Sequence, residues 1–266
     1  MYHHVTPEAG LITVSPATFR AQMSWLSRRG YRTIGCDDLA AFLDGRPLPE
    51  KCVLITFDDG YLDNYVHAWP VLREFGLHAA VFLVTGWIGA GEALRHAGLG
   101  GELPRCPDHR SCMQQVAAGQ HDAAMLRWPE VEAMRADGSF EFHSHTHTHT
   151  RWDKTLTDRA ERRAALAADL DASRAALKSH LGTDSTHLCW PQGYYDADYR
   201  DVARQGGFRH LYTVKKGIVT PSTAPGEIGR VVVKDRAPKL WVNLNGSREE
   251  GLNLSAELMR VAEVVR

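Results

Sequence analysis

The chain has 266 residues, of which 44% are hydrophobic, and its 31 Lys and Arg are balanced by 32 Asp and Glu. This composition is typical of a globular protein with a sizeable core, and the near-zero net charge argues against nucleic acid as a partner. The sequence shows no apolar run of the length of a transmembrane segment and no secretory signal at its start, so we expect a cytoplasmic location by default.

Seven β-rich runs alternate with amphipathic helical runs along the chain. The predicted strands are residues 1–5, 52–57, 79–84, 139–144, 187–191, 210–214 and 228–234. This alternation predicts a parallel sheet with right-handed crossovers. Seven strands are compatible with a closed barrel or an open sheet, within a single α/β domain that covers residues 1–266.

Glycines mark the ends of the predicted helices. We predict helices at residues 16–29, 36–44, 64–75, 129–137, 157–181 and 196–205, which end before Gly30, Gly45, Gly76, Gly138, Gly182 and Gly206. Glycine adopts the left-handed conformation that follows many helices at little cost, so these six glycines support the helix boundaries. A further helix is predicted at about 254–265.

Residues 89–127 interrupt this alternation, because they are Gly-rich, then polar, and show no clear period. Loops of this length are usually functional, and this one follows a strand, which predicts a lid at the carboxyl ends of the strands. Within it, Cys106, His109 and Cys112 are compatible with a disulfide or a second metal site. An ordinary lid is the favoured interpretation, because structural zinc needs four ligands.

The first motif that indicates chemistry is TFDDG, residues 56–60, in which an apolar strand ends in two carboxylates. Adjacent side chains of a strand point to opposite faces, so Asp58 and Asp59 converge on one site only if the backbone turns, which Gly60 permits. One acid would then bind a cation and the other would accept a proton. The alternative is an Asp-Gly turn with solvated carboxylates.

The second motif is the run HSHTHTH, residues 143–149, which contains four histidines. In one extended strand all four would face the same way and would overfill a metal site. If the strand ends near Ser144 and a helical turn follows, His145 and His149 become neighbours at i and i+4, which is the spacing of paired histidine ligands. Two imidazoles and one carboxylate would form a three-ligand site with an open position for water, as in catalytic zinc sites.

The third motif is CWPQGYYD, residues 189–196, in which a strand ends in a Pro-x-Gly turn with aromatic neighbours. By itself it indicates only a turn. In this order and at these strand ends, however, the three motifs resemble those of the polysaccharide deacetylase family, also known as the NodB homology domain or carbohydrate esterase family 4. The resemblance covers roughly residues 1–235 and implies a distorted (β/α)₇ barrel, NodB-like, in one domain.

The resemblance also implies roles for individual residues. It implies that Asp58 is the general base and that Asp59, His145 and His149 bind one divalent metal ion, for which zinc is expected. The third motif would form one wall of the substrate groove, through Trp190, Pro191, Gln192, Gly193 and Tyr194. A backbone N–H of this motif would bind the oxyanion. Thr146 would anchor the histidine loop by a hydrogen bond. His143 stands where family members often have glycine, and it would either lie in the second shell of the site or narrow the pocket.

The implied reaction is hydrolysis of an N-acyl group, with acetyl expected, from an amino sugar or oligosaccharide. Two departures from the family motifs leave alternatives open. Cys189 replaces an arginine that orients the base, and the late histidine that acts as general acid is missing from the final strand, where Arg230 is the residue expected to contribute. A non-catalytic carbohydrate-binding relative therefore remains an alternative, as does a hydrolase of another C–N bond, such as a sugar deformylase.

Overall fold

The computed structural model describes residues 1–233 and 235, together with the backbone of an antiparallel pair of strands near the end of the chain. The predicted helix at 254–265 and residue 234 of the last predicted strand lie outside the described residues. The strands are β1 (His4–Val5), β2 (Thr13–Val14), β3 (Arg32–Thr33), β4 (Cys52–Val53), β5 (Thr56–Asp59), β6 (Ala79–Leu83), β7 (Phe140–Ser144), β8 (His187–Cys189), β9 (His210–Tyr212), β10 (Lys239–Val242) and β11 (Arg248–Gly251).

The central element is a parallel sheet in the order β5-β6-β7-β8-β9. Backbone hydrogen bonds extend it to a ring. Tyr2 donates to the carbonyl of Thr56 at one edge, and Ile228 donates to the carbonyl of Leu211 at the other. Val233 donates to the carbonyl of Met1 and joins the two edges. The fold is thus the distorted barrel that the sequence predicts, with residues 228–233 as an extended segment that pairs through isolated bonds.

The helices surround this barrel. They are α1 (Pro16–Arg28), α2 (Cys36–Leu43), α3 (Trp69–Phe75), α4 (His109–Ala117), α5 (Trp128–Ala136), α6 (Trp152–Thr155), α7 (Arg159–Leu181) and α8 (Ala197–Gln205), and a π-helical turn at Asn64–Ala68 precedes α3. Five of the six predicted glycine stops have positive φ, but Gly206 keeps φ −73° and Gly207, at φ 88°, makes the left-handed turn instead. Among the described helices, none is long and apolar enough to cross a membrane.

The segment 89–127 is more ordered than its sequence predicts. It contains α4, whose N-cap Asp108 accepts bonds from the N–H groups of Arg110 and Ser111. Cys112 of α4 packs with Met125 and with Tyr61, which follows β5. The segment therefore lies at the carboxyl end of β5, on the face where we expected it. Cys106 and Cys112 are both free thiols, so the disulfide interpretation is wrong.

Candidate active site

The two aspartates of the first motif end strand β5, and the backbone turns between them. Asp59 has φ 74° and Gly60 has φ 90°, which bring both carboxylates to the carboxyl end of the barrel. A Cβ at Gly60 would lie 2.7 Å from the Leu83 side chain, so this position requires glycine for space as well as for φ. Both aspartates are buried, which excludes the solvated-turn interpretation.

The histidine loop follows β7 directly and is not helical. Thr146 has φ 66° and His149 has φ 60°, and these two left-handed residues fold the loop back on itself. The expected helical turn is therefore wrong, yet the rings of His145 and His149 still converge, with centroids 5.0 Å apart. The Thr146 hydroxyl oxygen accepts a 3.0 Å hydrogen bond from the His149 N–H, which closes the loop.

Asp169 of α7 anchors the same loop from below, although the sequence gives no obvious sign of it. One carboxylate oxygen accepts bonds from the N–H groups of His147 and Thr148, at 2.9 and 2.8 Å. The other accepts from the Thr148 hydroxyl and the Trp152 indole. Four bonds to one buried carboxylate stabilise a strained backbone that non-glycine residues adopt only at a cost.

Asp59, His145 and His149 form a group whose ligand atoms fit one cation. Asp59 Oδ1 lies 3.4 Å from His145 Nε2 and 3.5 Å from His149 Nε2. This oxygen is buried and has no hydrogen-bond partner. The His145 Nδ1–H donates to the carbonyl of Cys189 at 2.8 Å, which leaves Nε2 free as a ligand. Burial lowers the pKa of His149 to about 4, so this ring is neutral at pH 7, as a ligand must be.

Tyr61 links this group to the 89–127 segment. Burial, and then the neighbouring Asp59 carboxylate, raise the pKa of its hydroxyl, which lies 3.0 Å from His109 Nδ1 of α4. His109 therefore has a partner of its own. Cys106 and Cys112 do not join it in any metal-ligating group among the described residues, so a second metal site in this segment has no support.

Arg230 supplies the cation that position 189 lacks. Its guanidinium binds Asp58 through two hydrogen bonds of 2.6 and 2.7 Å, and one of the same nitrogens lies 2.9 Å from Cys189 Sγ. Burial opposes ionisation of Asp58, but Arg230 outweighs it and holds the pKa of this carboxyl at about 2. Asp58 is thus ionised at neutral pH, next to the Asp59, His145 and His149 group.

His3 is a further histidine at this site that the sequence did not identify. Its Nε2 lies 4.0 Å from Asp58 Oδ2, and the side chain is 17% exposed. Burial lowers the pKa of His3, so its ring is neutral in the free protein. His3 belongs to the first extended segment of the barrel, residues 1–5, which pairs with β5 through Tyr2. In the sequence His3 is marked only by a second histidine and a valine after it, and this pattern is too common to indicate a catalytic residue.

Only part of the third motif, residues 189–196, is exposed. Trp190 is fully buried and packs against Tyr199, so it cannot stack on a substrate and its predicted place in the groove is wrong. Pro191 is also buried, whereas Gln192 is exposed in a left-handed turn. A Cβ at Gly193 would lie 2.1 Å from Val214, which explains the glycine. The Arg151 guanidinium covers the ring of Tyr194 at 3.9 Å from its centroid.

The two remaining histidines of the run face elsewhere. His147 Nδ1 lies 3.0 Å from the Thr85 hydroxyl. His143 points into the lower part of the barrel, where it contacts Ser185 and Glu141. Within the described part of the chain it has no contact with Asp59, His145 or His149, so its predicted place in the second shell of that group is wrong.

Comparison with known proteins agrees with this geometry. Residues 45–211 match the family model for polysaccharide deacetylase. A polysaccharide deacetylase YxkH, named as putative, from Bacillus subtilis is 42% identical over 90 residues, which are 34% of this chain and 32% of that protein. The poly-beta-1,6-N-acetyl-D-glucosamine N-deacetylase of Staphylococcus aureus is 22% identical over 85% of this chain and 69% of that protein.

Solved structures show the same fold. IcaB from Ammonifex degensii is similar with a TM-score of 0.69 and 27% identity, over 88% of this chain and 89% of that chain. A Streptococcus pyogenes deacetylase, solved in complex with acetate, is similar with a TM-score of 0.68 and 20% identity, over 87% and 89%. The match to the first of the curated relatives spans only about a third of that protein's length.

Proposed function

Since the chain belongs to the polysaccharide deacetylase family, we propose that it is a metal-dependent hydrolase that removes the acetyl group from N-acetylglucosamine units of a glycan. The observation that carries this proposal is the position of Asp58, ionised and paired with Arg230, beside Asp59, His145 and His149. The Staphylococcus aureus relative, named for poly-beta-1,6-N-acetyl-D-glucosamine, supports the choice of an N-acetylated glucosamine polymer.

The three-ligand group suits a divalent ion of the zinc class. Two imidazoles and one carboxylate with an open position are the ligands of catalytic zinc sites, and zinc is our proposal for the ion. When bound, such an ion supplies a water nucleophile of lowered pKa and a Lewis acid for the amide carbonyl. Asp58 accepts the proton of the attacking water, because a carboxylate has four lone-pair directions and Arg230 uses two of them.

The turn of the third motif contributes a donor for the oxyanion. The N–H groups of Gly193 and Tyr194 donate to the carbonyls of Trp190 and Pro191 within the turn. Proline has no N–H, so the N–H of Gln192 is the remaining donor of this turn. We assign it to the negative charge that develops on the acetyl oxygen in the transition state.

His3 fills the role of proton donor that the missing late histidine leaves open. Protonated Asp58, an acid whose pKa is about 2, gives its proton to the neutral imidazole of His3 once Nε2, which lies 4.0 Å away in the free protein, moves to hydrogen-bond distance. The His3 Nε2–H then protonates the amine as the C–N bond breaks. The positions of Arg230 and His3 weaken the alternative of a non-catalytic carbohydrate-binding relative, which depended on the absence of an arginine and a histidine.

The experiment that tests this function is hydrolysis of N-acetylglucosamine oligomers by zinc-loaded protein, measured as released acetate. The matched N-formyl oligomers distinguish a deacetylase from a deformylase. Asp58→Asn is the control for contaminating activity. Metal-loaded protein that binds the oligomers but releases neither acetate nor formate would show that the binding-protein alternative is correct.

The role of His3 has its own test. His3→Gln should lose about 10²–10⁴ of the amide rate but little of the rate on 4-nitrophenyl acetate, because a phenolate leaves without a proton. Equal losses on both substrates would contradict a proton donor and indicate a role in metal or substrate binding.

A further inference from the structure

A second group of metal-ligand side chains lies inside the barrel, away from the proposed catalytic site. Side chains of a strand alternate, so Glu141 and His143 of β7 share the inward face with His145, but nearer the amino end of the strand. Cys36, the first residue of α2, completes the group from the end of the barrel opposite the catalytic face. The thiol, a carboxylate oxygen and an imidazole nitrogen all lie within 4.8 Å of one another.

His143 has one nitrogen fixed and one unpartnered. Its Nδ1 lies 2.8 Å from the hydroxyl oxygen of Ser185, and that hydroxyl donates its own hydrogen to the carbonyl of His187. With the Ser185 hydrogen on the His187 carbonyl, the hydrogen of His143 lies on Nδ1 and Nε2 presents a lone pair. Nε2 is buried, has no hydrogen-bond partner, and lies 3.4 Å from Glu141 Oε1. Two acceptor atoms that face each other in a buried space need a proton or a metal cation between them.

The carboxylate of Glu141 is held in place by the backbone. The N–H of Cys36 donates to Glu141 Oε1 at 2.5 Å, and a Cβ on Gly35 would lie 3.0 Å from Oε2. His78 also approaches Oε2, at 3.7 Å, from the solvent side. An outer hydrogen bond on each of two ligands, Ser185 on His143 and the backbone on Glu141, is the usual arrangement around metal ligands.

The neighbouring histidine is committed elsewhere and marks the entrance. His187 Nε2 lies 3.0 Å from the Asp37 carboxylate and its Nδ1 lies 3.2 Å from the Tyr212 hydroxyl, so neither nitrogen is available as a ligand. The side chain of Asp37 is 93% exposed. This carboxylate adds negative charge at the amino end of the barrel, where a cation would enter.

We propose that Cys36, Glu141 and His143 form a second binding site for a divalent cation of the zinc class. Thiolate, imidazole and carboxylate together are borderline-soft donors, which favour zinc over calcium or magnesium. Cys189, the other buried thiol of the barrel interior, is not part of this site, because it lies with Asp58 and His145 at the catalytic face, where the Arg230 guanidinium is 2.9 Å from its sulfur. The site is independent of the deacetylase activity, since none of its ligands contacts Asp58 or Asp59.

Cobalt binding tests this site, because a thiolate ligand gives cobalt an intense near-ultraviolet absorption that imidazole and carboxylate do not. We expect metal-free full-length protein titrated with Co²⁺ to develop this band, and His149→Ala to keep it although it lacks the catalytic ion. Cys36→Ser should abolish the band, whereas Cys52→Ser and Cys189→Ser should retain it. Native mass spectrometry with Zn²⁺ should show two ions in the parent and one in Cys36→Ser.

His143→Gln provides a second test if Cys36→Ser does not fold. It keeps the thiol but removes the imidazole, and we expect the cobalt affinity at this site to fall by at least about tenfold. The proposal is wrong if the parent shows no thiolate band, if the band survives Cys36→Ser, or if the parent and Cys36→Ser bind the same number of zinc ions. In those cases a proton shared by His143 and Glu141 occupies the gap.

Discussion

The guanidinium of Arg230 and the carboxylate of Asp58 form a buried pair of two parallel hydrogen bonds, between residues that lie 172 positions apart in the sequence. The pair joins the extended segment 228–233 to the carboxyl end of β5. Arg230 also donates from Nε to the carbonyl of Thr213, so the guanidinium is held independently of Asp58. The geometry orients the carboxylate and keeps it ionised.

Replacement of Arg230 should shift the pH dependence of activity. In the parent the pKa of Asp58 is about 2, so the base is ionised over the working pH range. In Arg230→Met the burial of Asp58 remains while its counter-charge is lost, so its pKa rises. Activity should then fall at low pH and recover as the pH rises, as measured by kcat/KM against pH at constant metal content.

The same substitution should also reduce stability. Removal of one partner of a buried ion pair costs about 3–5 kcal/mol. Arg230→Lys, which keeps the charge but not the two-bond geometry, should lie between the parent and Arg230→Met in both turnover and unfolding free energy. Identical pH profiles for all three proteins would contradict the assignment of Asp58 as the base.

Asp58→Asn should separate chemistry from metal binding. The amide has nearly the shape of the carboxylate but cannot accept the proton of water, so turnover should fall by about 10²–10⁴. Zinc content, measured by elemental analysis, should not change, because Asp58 is outside the three-ligand group. An active Asp58→Asn protein would require a different base.

Three alanine variants test the metal ligands. Asp59→Ala and His149→Ala should each lose the catalytic ion, because each removes one of three protein ligands. His147→Ala is the matched control from the same loop, since His147 bonds Thr85 and faces away from Asp59. Loss of zinc in His147→Ala with retention in His149→Ala would show that the ligand assignment is wrong.

The sequence predicts the elements of this fold better than the contacts between them. Its seven β-rich runs correspond to the strands and extended segments of the barrel, because the hydrophobic pattern of a strand can be recognised from neighbouring residues alone. The left-handed Thr146 and His149 are different: they depend on Asp169, which lies 23 and 20 positions further along the chain. Positive φ is rare at non-glycine residues and rarest at β-branched ones such as threonine, so the sequence favours a helical turn.

The site shows the same division. Asp58, Asp59, His145 and His149 are recognisable because they occur in short motifs at strand ends. His3 lies in the first extended segment of the barrel, residues 1–5, and Arg230 in the last described one, residues 228–233. Only closure of the barrel brings both residues to Asp58. The one local sign of Arg230 is a charged residue within the apolar run IGRVVV, which would be costly to bury without a partner.

Asp169 should control metal affinity without touching the ion. Asp169→Ala removes three hydrogen bonds from the histidine loop and a fourth from the Trp152 indole, so the left-handed conformation of Thr146 and His149 should be lost part of the time. We expect zinc affinity to fall by about 10–100-fold, as for other residues that support metal ligands. Asp171→Ala, an exposed aspartate of the same helix, is the control and should bind zinc like the parent.

The last prediction concerns the 89–127 segment, which covers Tyr61 at the carboxyl end of β5. Its helix α4 contacts Tyr61 through His109, and Tyr61 lies beside Asp59. We therefore expect it to act as a lid that favours short or chain-terminal sugars over the interior of a long polymer.

Replacement of residues 98–121 by a short Gly-Ser linker keeps Leu94, whose N–H bonds Glu130, and Met125, which pairs with Tyr61. This variant should retain zinc and gain activity on long relative to short N-acetylglucosamine oligomers, measured as the ratio of the two kcat/KM values. His109→Ala should leave that ratio near the parent value, because it removes one contact but not the helix. An unchanged ratio in the zinc-loaded linker variant would contradict the lid.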